Sequence, residues 1–428
     1  MLVRRKSITL IAEKTFIAGV LEDIFTMFQY KISSMSKNEL DCGIILDEMS
    51  TEEAREFCLN RKQLIGTTTL PISNTLASKA LVYMLVGISS RWKQVVRYDH
   101  TGSSIPGHVL KDRVIEIIGR AESIGLRVQF LTSDSGSENQ RLWRDLGMDI
   151  GRSKVSNSIP VPHPIDKSRK LELVPDPVHV FKNMVHGWIN NVFLVLPAWY
   201  VECKKLSTNI VHRNHLQKLV ASEKGNQLKI CHKLTDNDVN FEQKMSSIDK
   251  MKVSNATKYC NTTVSSALQV LAIHLNDPAL NATAAFIEDI ALWYNMMTNR
   301  NENTALSEDN PKHYQYVVEH LQHVSRLIYD VLVGENSRWK PWQAGVNICS
   351  YAIIRLSKEL LNNGHKTIIT GRFDQNCLES LFSLVRYKQK RPTSLQFSQH
   401  LKTIALSQYM APVLSSSYEF DDWIDRYH

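Results

Sequence analysis

The spacing of apolar side chains divides the chain into a first part of mixed pattern and a later helical part. The segments 42–49, 63–70 and 80–99 are short runs of aliphatic and β-branched residues, the last broken at Gly87–Ser90, and they predict strands of a meander. Before them, residues 13–32 carry apolar side chains at helical spacing, which predicts an amphipathic helix: Phe16, Ile17, Val20, Leu21, Ile24, Phe25 and Phe28.

Helices and strands then alternate along the chain. Residues 107–125 carry an apolar stripe at helical spacing and end at a glycine, and the run at 126–134 predicts a strand. A short helix at 136–147 and a last strand at 170–175 follow. Alternation of this kind implies a parallel crossover, and the whole order of elements matches that of an RNase H-like fold.

The strand pattern stops at about residue 200. Apolar stripes at 264–275 and 314–331 predict long helices, whereas the polar stretches 222–255 and 298–312 predict loops. Residues 200–365 therefore read as an all-α block. We expect an α/β RNase H-like core, with a mixed sheet flanked by helices, interrupted by a large all-α insertion.

Composition and charge fit a globular protein with an anionic partner. The 428 residues are 43% hydrophobic and 22% charged, which favours two or three domains with a sizeable core. The net charge of +8 and the pI near 9.0 favour nucleic acid, because surface Lys and Arg release counterions from a phosphate backbone. The alternative is a basic protein that binds no nucleic acid, and charge alone leaves it open.

Cysteine usage and the N-terminal residues favour an intracellular protein. The seven cysteines are scattered, odd in number and never spaced as CxxC, which argues against a disulfide framework and a zinc finger. We interpret each as a small buried apolar side chain. Charged residues between 13 and 23 interrupt any signal-peptide core, and we expect no membrane span.

Three acidic residues stand where apolar elements end, and they are candidate metal ligands. Asp47 follows Ile44–Leu46 directly, and Asp134 ends a strand at the carboxyl edge of the predicted sheet. Glu379 lies beside an apolar helical stripe. Phosphodiester chemistry with two Mg²⁺ ions needs such oxygen ligands, contributed by separate elements.

Two of these acids also have a purely structural interpretation. Asp134 is equally well explained as the N-cap of the helix at 136–147, because Asp is favoured at that position. Without other signals, Glu379 would more often be interpreted as a solvent-exposed acid on the surface of a helix. Asp47 is harder to explain in this way, since three aliphatic residues precede it.

A further polar group lies on the helix predicted to start at Pro177. Asp176, His179, Lys182 and Asn183 fall on roughly one face of that helix. Such a group can order a ligand carboxylate or contact phosphate. The alternative is that Asp176 is an N-cap and Lys182 faces solvent, and the pattern does not separate the two.

Six motifs that occur in order make the chain resemble a known family over roughly residues 40–400. They are DEMS at 47–50, LVYMLVGISSRWKQVVRYD at 81–99, SDSGSENQRLWRDLG at 133–147, HP at 163–164, DPVHVFKN at 176–183, and LESLFSLVR with PTSLQF at 378–397. Together these motifs resemble the P-element transposase family, including its THAP-type vertebrate relatives.

The resemblance implies a catalytic RNase H-like domain that cuts DNA with two Mg²⁺ ions, split by a helical insertion that binds GTP. It assigns the family's three acids to Asp47, Asp134 and Glu379, with Asp176, His179 and Lys182 in supporting positions. It further implies transposon ends and target DNA as partners, self-association and a nuclear location. The stretch 247–256 looks like part of the family's insertion, which makes Lys250 and Lys252 candidate GTP contacts.

The sequence departs from the family pattern at three points. No Cys/His spacing typical of the family's DNA-reading finger precedes Asp47. Asn376 stands where the family has an acid three residues before its catalytic glutamate. Neither a GxxxxGK loop nor an NKxD motif locates a nucleotide pocket.

These patterns lead to one main interpretation and two alternatives. We expect an N-terminal helical segment (1–40), an RNase H-like domain in two parts (41–198 and 366–428) and the insertion (199–365). The expected activity is Mg²⁺-dependent DNA cleavage and strand transfer assisted by GTP. The alternatives are a domesticated, non-catalytic DNA-binding or assembly protein and a stand-alone nuclease of the RNase H type.

Overall fold

A seven-stranded mixed sheet forms the centre of the protein. The computed structural model describes residues 16–155, 160–225, 229–242 and 253–411. The strands of this sheet are β1 (Gly19–Val20), β2 (Asp41–Ser50), β3 (Lys79–Gly87), β4 (Lys93–Thr101), β5 (Arg127–Ser133), β6 (Val161–Pro162) and β7 (Lys170–Pro175).

The strands lie side by side in the order β1-β4-β3-β2-β5-β7-β6. Strands β2, β3 and β4 form an antiparallel meander, whereas β5 pairs parallel with both β2 and β7. Strand β2 is paired on both sides, and its residues 41–46 are buried. A Cβ on Gly43 would lie 2.1 Å from Phe130 Cζ. The expected mixed sheet flanked by helices is confirmed.

Two details of the predicted elements are wrong. The run at 63–70 is not a strand of the meander: it forms parts of two small hairpins, Glu56–Cys58 with Gln63–Ile65 and Thr67–Thr69 with Ile72–Leu76. Gly66 divides the run because its φ of +133° turns the chain. The first helix begins at Glu22 rather than near residue 13, because Gly19–Val20 pairs with β4 instead.

Helices cover the sheet and form most of the second half of the chain. They are α1 (Glu22–Ile32), α2 (Gly107–Ser123), α3 (Ser137–Leu146), α4 (Arg152–Val155), α5 (Pro177–Asn190), α6 (Ala198–Cys203), α7 (Asn214–Ser222), α8 (Val253–Tyr259), α9 (Thr262–His274), α10 (Leu280–Met297), α11 (Pro311–Asp330), α12 (Pro341–Asn362), α13 (Asn376–Lys388) and α14 (Ser394–Met410). None of these helices is long and apolar enough to cross a membrane.

The block predicted as all-α also contains short strands. Phe193–Val195 pairs with Ile210–His212 and with Leu332–Val333, and Leu306–Ser307 pairs with Thr367–Ile368. These pairings satisfy backbone groups where segments leaving the core meet segments returning to it. Within the described residues, no strand between 199 and 365 joins the seven-stranded sheet, so the block is inserted as a whole.

One ion pair and one buried hydrogen bond hold α12 and the segment after it to the sheet. Arg355 of α12 donates from Nε to Glu172 Oε1 of β7 at 2.7 Å. His365 Nε2 lies 2.8 Å from Oδ2 of Asp41, the first residue of β2. Helix α12 therefore packs directly on the core. The domain boundaries at 198/199 and 365/366 stay a prediction.

Candidate active site

Asp47 and Asp134 lie at the same edge of the sheet because of strand register. In the parallel pair of β2 and β5, Ile45 is opposite Thr132, and each acid follows two residues later. Burial raises the pKa of Asp47 to about 7; the charge of His179 lowers it, while those of Asp134 and Glu379 raise it further. The structure therefore brings the three predicted acids within electrostatic reach of one another.

Asp134 closes the turn between β5 and α3. Its Oδ1 accepts hydrogen bonds from the backbone N of Gly136 (2.9 Å) and from Nδ2 of Asn139 (2.6 Å). Gly136, and not Asp134, is the N-cap residue of α3, so the interpretation of Asp134 as that N-cap is wrong. The second carboxylate oxygen, Oδ2, makes no hydrogen bond with a described residue. This oxygen can therefore act as a metal ligand.

Asp176 is the N-cap of α5, as the structural interpretation predicted, and it also holds His179. Its buried carboxylate accepts from the backbone N of His179 (2.8 Å) and the backbone N of Gln375 (3.0 Å). Oδ2 lies 2.8 Å from His179 Nδ1. Burial would lower the pKa of His179, but the hydrogen bond and charge of Asp176 raise it to about 9. His179 is therefore an imidazolium at neutral pH.

Glu379 lies on α13, which packs on the core through one apolar face (Leu378, Leu381, Phe382 and Val385). Glu379 Oε1 is 3.8 Å from His179 Nε2, and the Glu379 side chain remains 42% exposed. Partial burial raises the pKa of Glu379, and the charge of His179 opposes this. The imidazolium thus connects Asp176 on one side with Glu379 on the other.

Lys182 is buried one turn further along α5, so the alternative in which it faces solvent is wrong. Burial lowers the pKa of its amine, and the charges of Glu379, Asp176, Asp134 and Asp47 act in the opposite direction. The Lys182 amine therefore lies among all the acids of the site. Asn183 is exposed and does not belong to this group.

Gln375 positions α13 against the sheet and was missed in the sequence. Its Nε2 donates to the backbone O of Leu46 in β2 at 2.6 Å, and its Oε1 is 3.1 Å from His179 Nδ1. Thr132 of β5 adds a hydrogen bond from Oγ1 to the backbone O of Phe373 at 2.8 Å. In the sequence, the only signal at Gln375 is its position just before the start of a helix. That position does not predict hydrogen bonds with residues so distant along the chain.

Asp374 forms a second buried ion pair beside the site that the sequence did not indicate. It accepts from Arg300 Nη2 with both oxygens (2.9 and 2.8 Å), and burial raises its pKa to about 7 although Arg300 lowers it. Asn376 donates from Nδ2 to Asp374 Oδ2 at 3.1 Å. The asparagine that replaces the family's acid therefore supports this neighbouring carboxylate.

The donor set has the chemistry of a magnesium site. Carboxylate oxygens are the ligands that Mg²⁺ prefers, and a cation would oppose the desolvation and the acid–acid repulsion that together raise the pKa of Asp47. In the part of the chain that the structure describes, no group of three His, Cys, Asp or Glu side chains is spaced to hold an ion. Two of the three acids have other contacts: Glu379 with His179 and Asp134 with Asn139.

The candidate GTP contacts cannot be placed relative to this site. Lys250 and Lys252 lie outside the described residues. All seven cysteines are free thiols; five are buried as expected, whereas Cys203 is exposed and Cys377 is half-buried.

Comparison with known proteins gives two matches in sequence, one to a family model and one to a curated relative. Residues 16–147 match the family model of the TNP-like RNase H N-terminal domain. The chain is 24% identical over 369 residues to the "Transposable element P transposase" of Drosophila melanogaster. The chain is similar to the P-element transposase family over most of its length. The alignment covers 84% of this chain but 44% of that relative, so the chain spans less than half of the relative's length.

A solved structure of this family supports the fold. The "Drosophila P element transposase strand transfer complex" superposes with a TM-score of 0.77 at 19% sequence identity, covering 93% of this chain and 83% of that one. The RNase H-like core expected from the order of elements is thereby confirmed.

Proposed function

We propose that this chain is the catalytic body of a P-element-type DNA transposase, in which Asp47, Asp134 and Glu379 bind Mg²⁺ ions. The observation that carries the proposal is Asp47: a half-buried acid within a central strand, with a pKa raised to about 7 and two further acids acting on it. Burying mutually repelling acids is costly in a purely structural role, and such perturbed groups cluster at functional sites.

The chain's own residues prepare the site for a cation. Asp47 and Asp134 present oxygens from adjacent strands, while Glu379 approaches from α13. His179, fixed by Asp176, and Lys182 supply the positive charge that otherwise balances these acids. When bound, two Mg²⁺ ions would activate a water or 3′-hydroxyl and stabilise the leaving oxygen.

The similarity to P-element transposases and the charge of the chain support DNA as the partner. A net charge of +8 favours contact with a phosphate backbone, and the solved relative is a strand transfer complex. We therefore propose transposon ends and target DNA as substrates, self-association during strand transfer, and a nuclear location. Assistance by GTP is proposed from the family alone, with Lys250 and Lys252 as candidate contacts.

Replacing Asp134 by Asn in the full chain tests the proposal. The amide oxygen can still accept from Gly136 N, so fold and DNA binding are retained, while the charge that holds Mg²⁺ is lost. We expect nicking of labelled duplex DNA from the flanks of the gene to fall by at least about 100-fold, since a metal ligand acts on the chemical step. Asp145→Asn, a change on the surface of α3, is the matched control.

One observation favours the domesticated, non-catalytic alternative. His179 contacts Glu379, and Asn139 donates a hydrogen bond to Asp134. Such contacts would stabilise these acids in a site that no longer binds a metal ion. Salt-dependent DNA binding with no Mg²⁺-dependent nicking by the unmutated chain would support that alternative. Unchanged nicking in Asp134→Asn would instead remove Asp134 from the mechanism.

A further inference from the structure

Helix α13 ends in a short basic segment, residues 386–391, which continues past the helix toward α14. Its sequence is RYKQKR, so four of its six residues are cationic: Arg386, Lys388, Lys390 and Arg391. No acidic residue occurs among residues 380–411, so nothing along this stretch of chain offsets the charge. The basic segment is therefore a concentration of positive charge at the end of the helix that carries Glu379.

The fold does not use most of this charge. All six residues of the basic segment are exposed, and the four cationic side chains make no hydrogen bond or ion pair with any described residue. Arg386 and Lys388 lie in the last turn of α13, where positive charge balances the helix dipole. Lys390 and Arg391 lie beyond the helix, so the dipole gives no reason for them. Their charge is available to an anionic partner.

Tyr387 places an aromatic ring in the middle of the basic segment. It is 92% exposed, more than any other large apolar or aromatic residue among those that the structure describes. A ring flanked by cations suits a ligand that combines phosphates with flat aromatic groups, and unpaired nucleotides are such a ligand because every base has a face that can stack. A duplex would meet the charge alone, since its base faces are already stacked on one another.

Backbone hydrogen bonds fix the basic segment at both ends. Where α13 ends, Gln389 N donates to the backbone O of Val385 at 3.0 Å. Beyond the segment, Thr393 is the N-cap of α14, and Glu52 N, just after strand β2, donates to the backbone O of Pro392 at 2.9 Å. The segment is therefore held between the helix of Glu379 and the end of β2, and a surface fixed in this way loses little conformational entropy when it binds.

The basic segment also lies close to the candidate active site. Arg386 follows Glu379 by about two turns on the same face of α13, or roughly 10 Å along the axis at 1.5 Å per residue. Burial raises the pKa of Glu379, and the charge of Arg386 is among those that lower it. At about 3.4 Å per nucleotide, roughly three nucleotides of one strand span this distance. A strand held at Glu379 therefore reaches the basic segment within a few nucleotides.

We propose that the basic segment binds an unpaired stretch of the DNA strand that passes the candidate active site. Tyr387 stacks on a base, while Lys390 and Arg391 contact neighbouring phosphates. This inference rests on the proposed function in taking DNA as the partner. It adds that the chain prefers a duplex with a single-stranded extension to a blunt duplex. The identity of the stacked base matters little, because stacking and phosphate contacts tolerate any sequence.

Binding of labelled DNA by the full chain tests the stacking contact. The assay compares a duplex that carries a single-stranded extension of several nucleotides with the same duplex cut blunt, without divalent cations, so that no cleavage intervenes. We expect Tyr387→Ala to weaken binding of the extended duplex about tenfold and to change binding of the blunt duplex less than about twofold. Tyr387→Phe keeps the ring and should bind as the unmutated chain does. Tyr30→Ala, which removes a 61% exposed tyrosine on α1, should change neither.

Salt dependence tests the phosphate contacts. Replacing Lys390 and Arg391 together by Gln removes two contacts, and should reduce the slope of log affinity against log salt for the extended duplex by about 1.4, at roughly 0.7 for each single-strand phosphate. Lys312→Gln with Lys366→Gln removes the same charge from exposed positions elsewhere, and should leave the slope unchanged.

Three outcomes overturn the proposal: a Tyr387→Ala effect that is equal for extended and blunt duplexes, no effect on either, or displacement of the extended duplex by an acidic peptide as readily as by unlabelled single strand. The last result would identify a protein partner instead. Because the assay contains no metal ion, it separates this inference from the proposed function. Absent nicking with an intact Tyr387 effect would refute the proposed catalysis alone, whereas normal nicking without that effect would refute this inference alone.

Discussion

The imidazole Nε2 of His179 lies 3.8 Å from Oε1 of Glu379, while its Nδ1 is held 2.8 Å from the buried carboxylate of Asp176. Because these acids raise the pKa of His179 to about 9, the ring is a fixed positive charge next to a proposed metal ligand. If Glu379 binds a metal ion as proposed, the imidazolium and that ion would compete for it.

Replacing His179 by Gln should strengthen metal binding. Removing a unit positive charge close to the acids relieves repulsion on the order of 1 kcal/mol, which corresponds to roughly fivefold tighter binding. Mn²⁺ titration followed by paramagnetic resonance measures this without relying on activity. His108→Gln, on the exposed side of α2, is the control. Binding weakened tenfold or more would identify His179 as a metal ligand instead.

Replacing Gln375 by Ala should loosen α13 and reduce nicking more than stability. The change removes the hydrogen bond from Nε2 to Leu46 O and leaves that buried carbonyl without this donor, at a cost of about 1–3 kcal/mol. Urea unfolding measures the stability, and nicking at saturating Mg²⁺ measures the positioning effect. Gln389→Ala, at the exposed end of α13, should change neither. A stability loss without an additional loss of nicking would make Gln375 purely structural.

The sheet edge of the site could be predicted from sequence because local pattern determines it. The apolar run before Asp47 and the strand before Asp134 are both local signals, and parallel pairing then places the two acids at one edge. Glu379 was identified by family motif and helical stripe together. Its approach to the sheet depends on contacts from Gln375 and Thr132, which local pattern does not encode.

The differences between the sequence-based expectations and the structure have identifiable physical causes. The run at 63–70 has the composition of a strand, but Gly66 has a positive φ and turns the chain there. The run is therefore divided between two small hairpins. The sequence left open whether Lys182 faces solvent or the site, because the carboxylates that oppose the effect of its burial come from distant segments. The first difference comes from a local turn at one glycine, and the second depends on contacts between distant segments.

Asp41 should make the protein sensitive to acid. Burial would raise its pKa, but hydrogen bonds from His365, Arg127 and Gln129 lower it to about 2 from 3.8. A lowered folded pKa means that the stabilisation is complete above about pH 4 and is lost as the pH falls toward 2. Asp41→Asn should therefore cost about 2 kcal/mol at pH 7, as 1.4 kcal/mol per pKa unit implies, and much less near pH 2. Denaturant unfolding from pH 7 down to the acid limit measures the difference.

The exposed residue Asp112 on α2 provides the control for that measurement. Asp112→Asn should leave the pH dependence of unfolding unchanged. An Asp41→Asn penalty that stays constant between pH 7 and pH 2 would show that the lost hydrogen-bond geometry, and not the charge, is responsible.

Gly43→Ala should destabilise the centre of the sheet because the Phe130 ring occupies the space of a side chain there. The new Cβ would lie 2.1 Å from Phe130 Cζ, and β2 cannot move while it is paired on both sides. Overpacking of this kind costs at least about 1–3 kcal/mol of the free energy of unfolding. Adding Phe130→Leu removes the clashing ring atoms, so the double variant should be more stable than Gly43→Ala alone. Urea unfolding of both single variants and the double variant measures the coupling. Strictly additive losses would mean that the ring does not set the requirement for glycine at position 43.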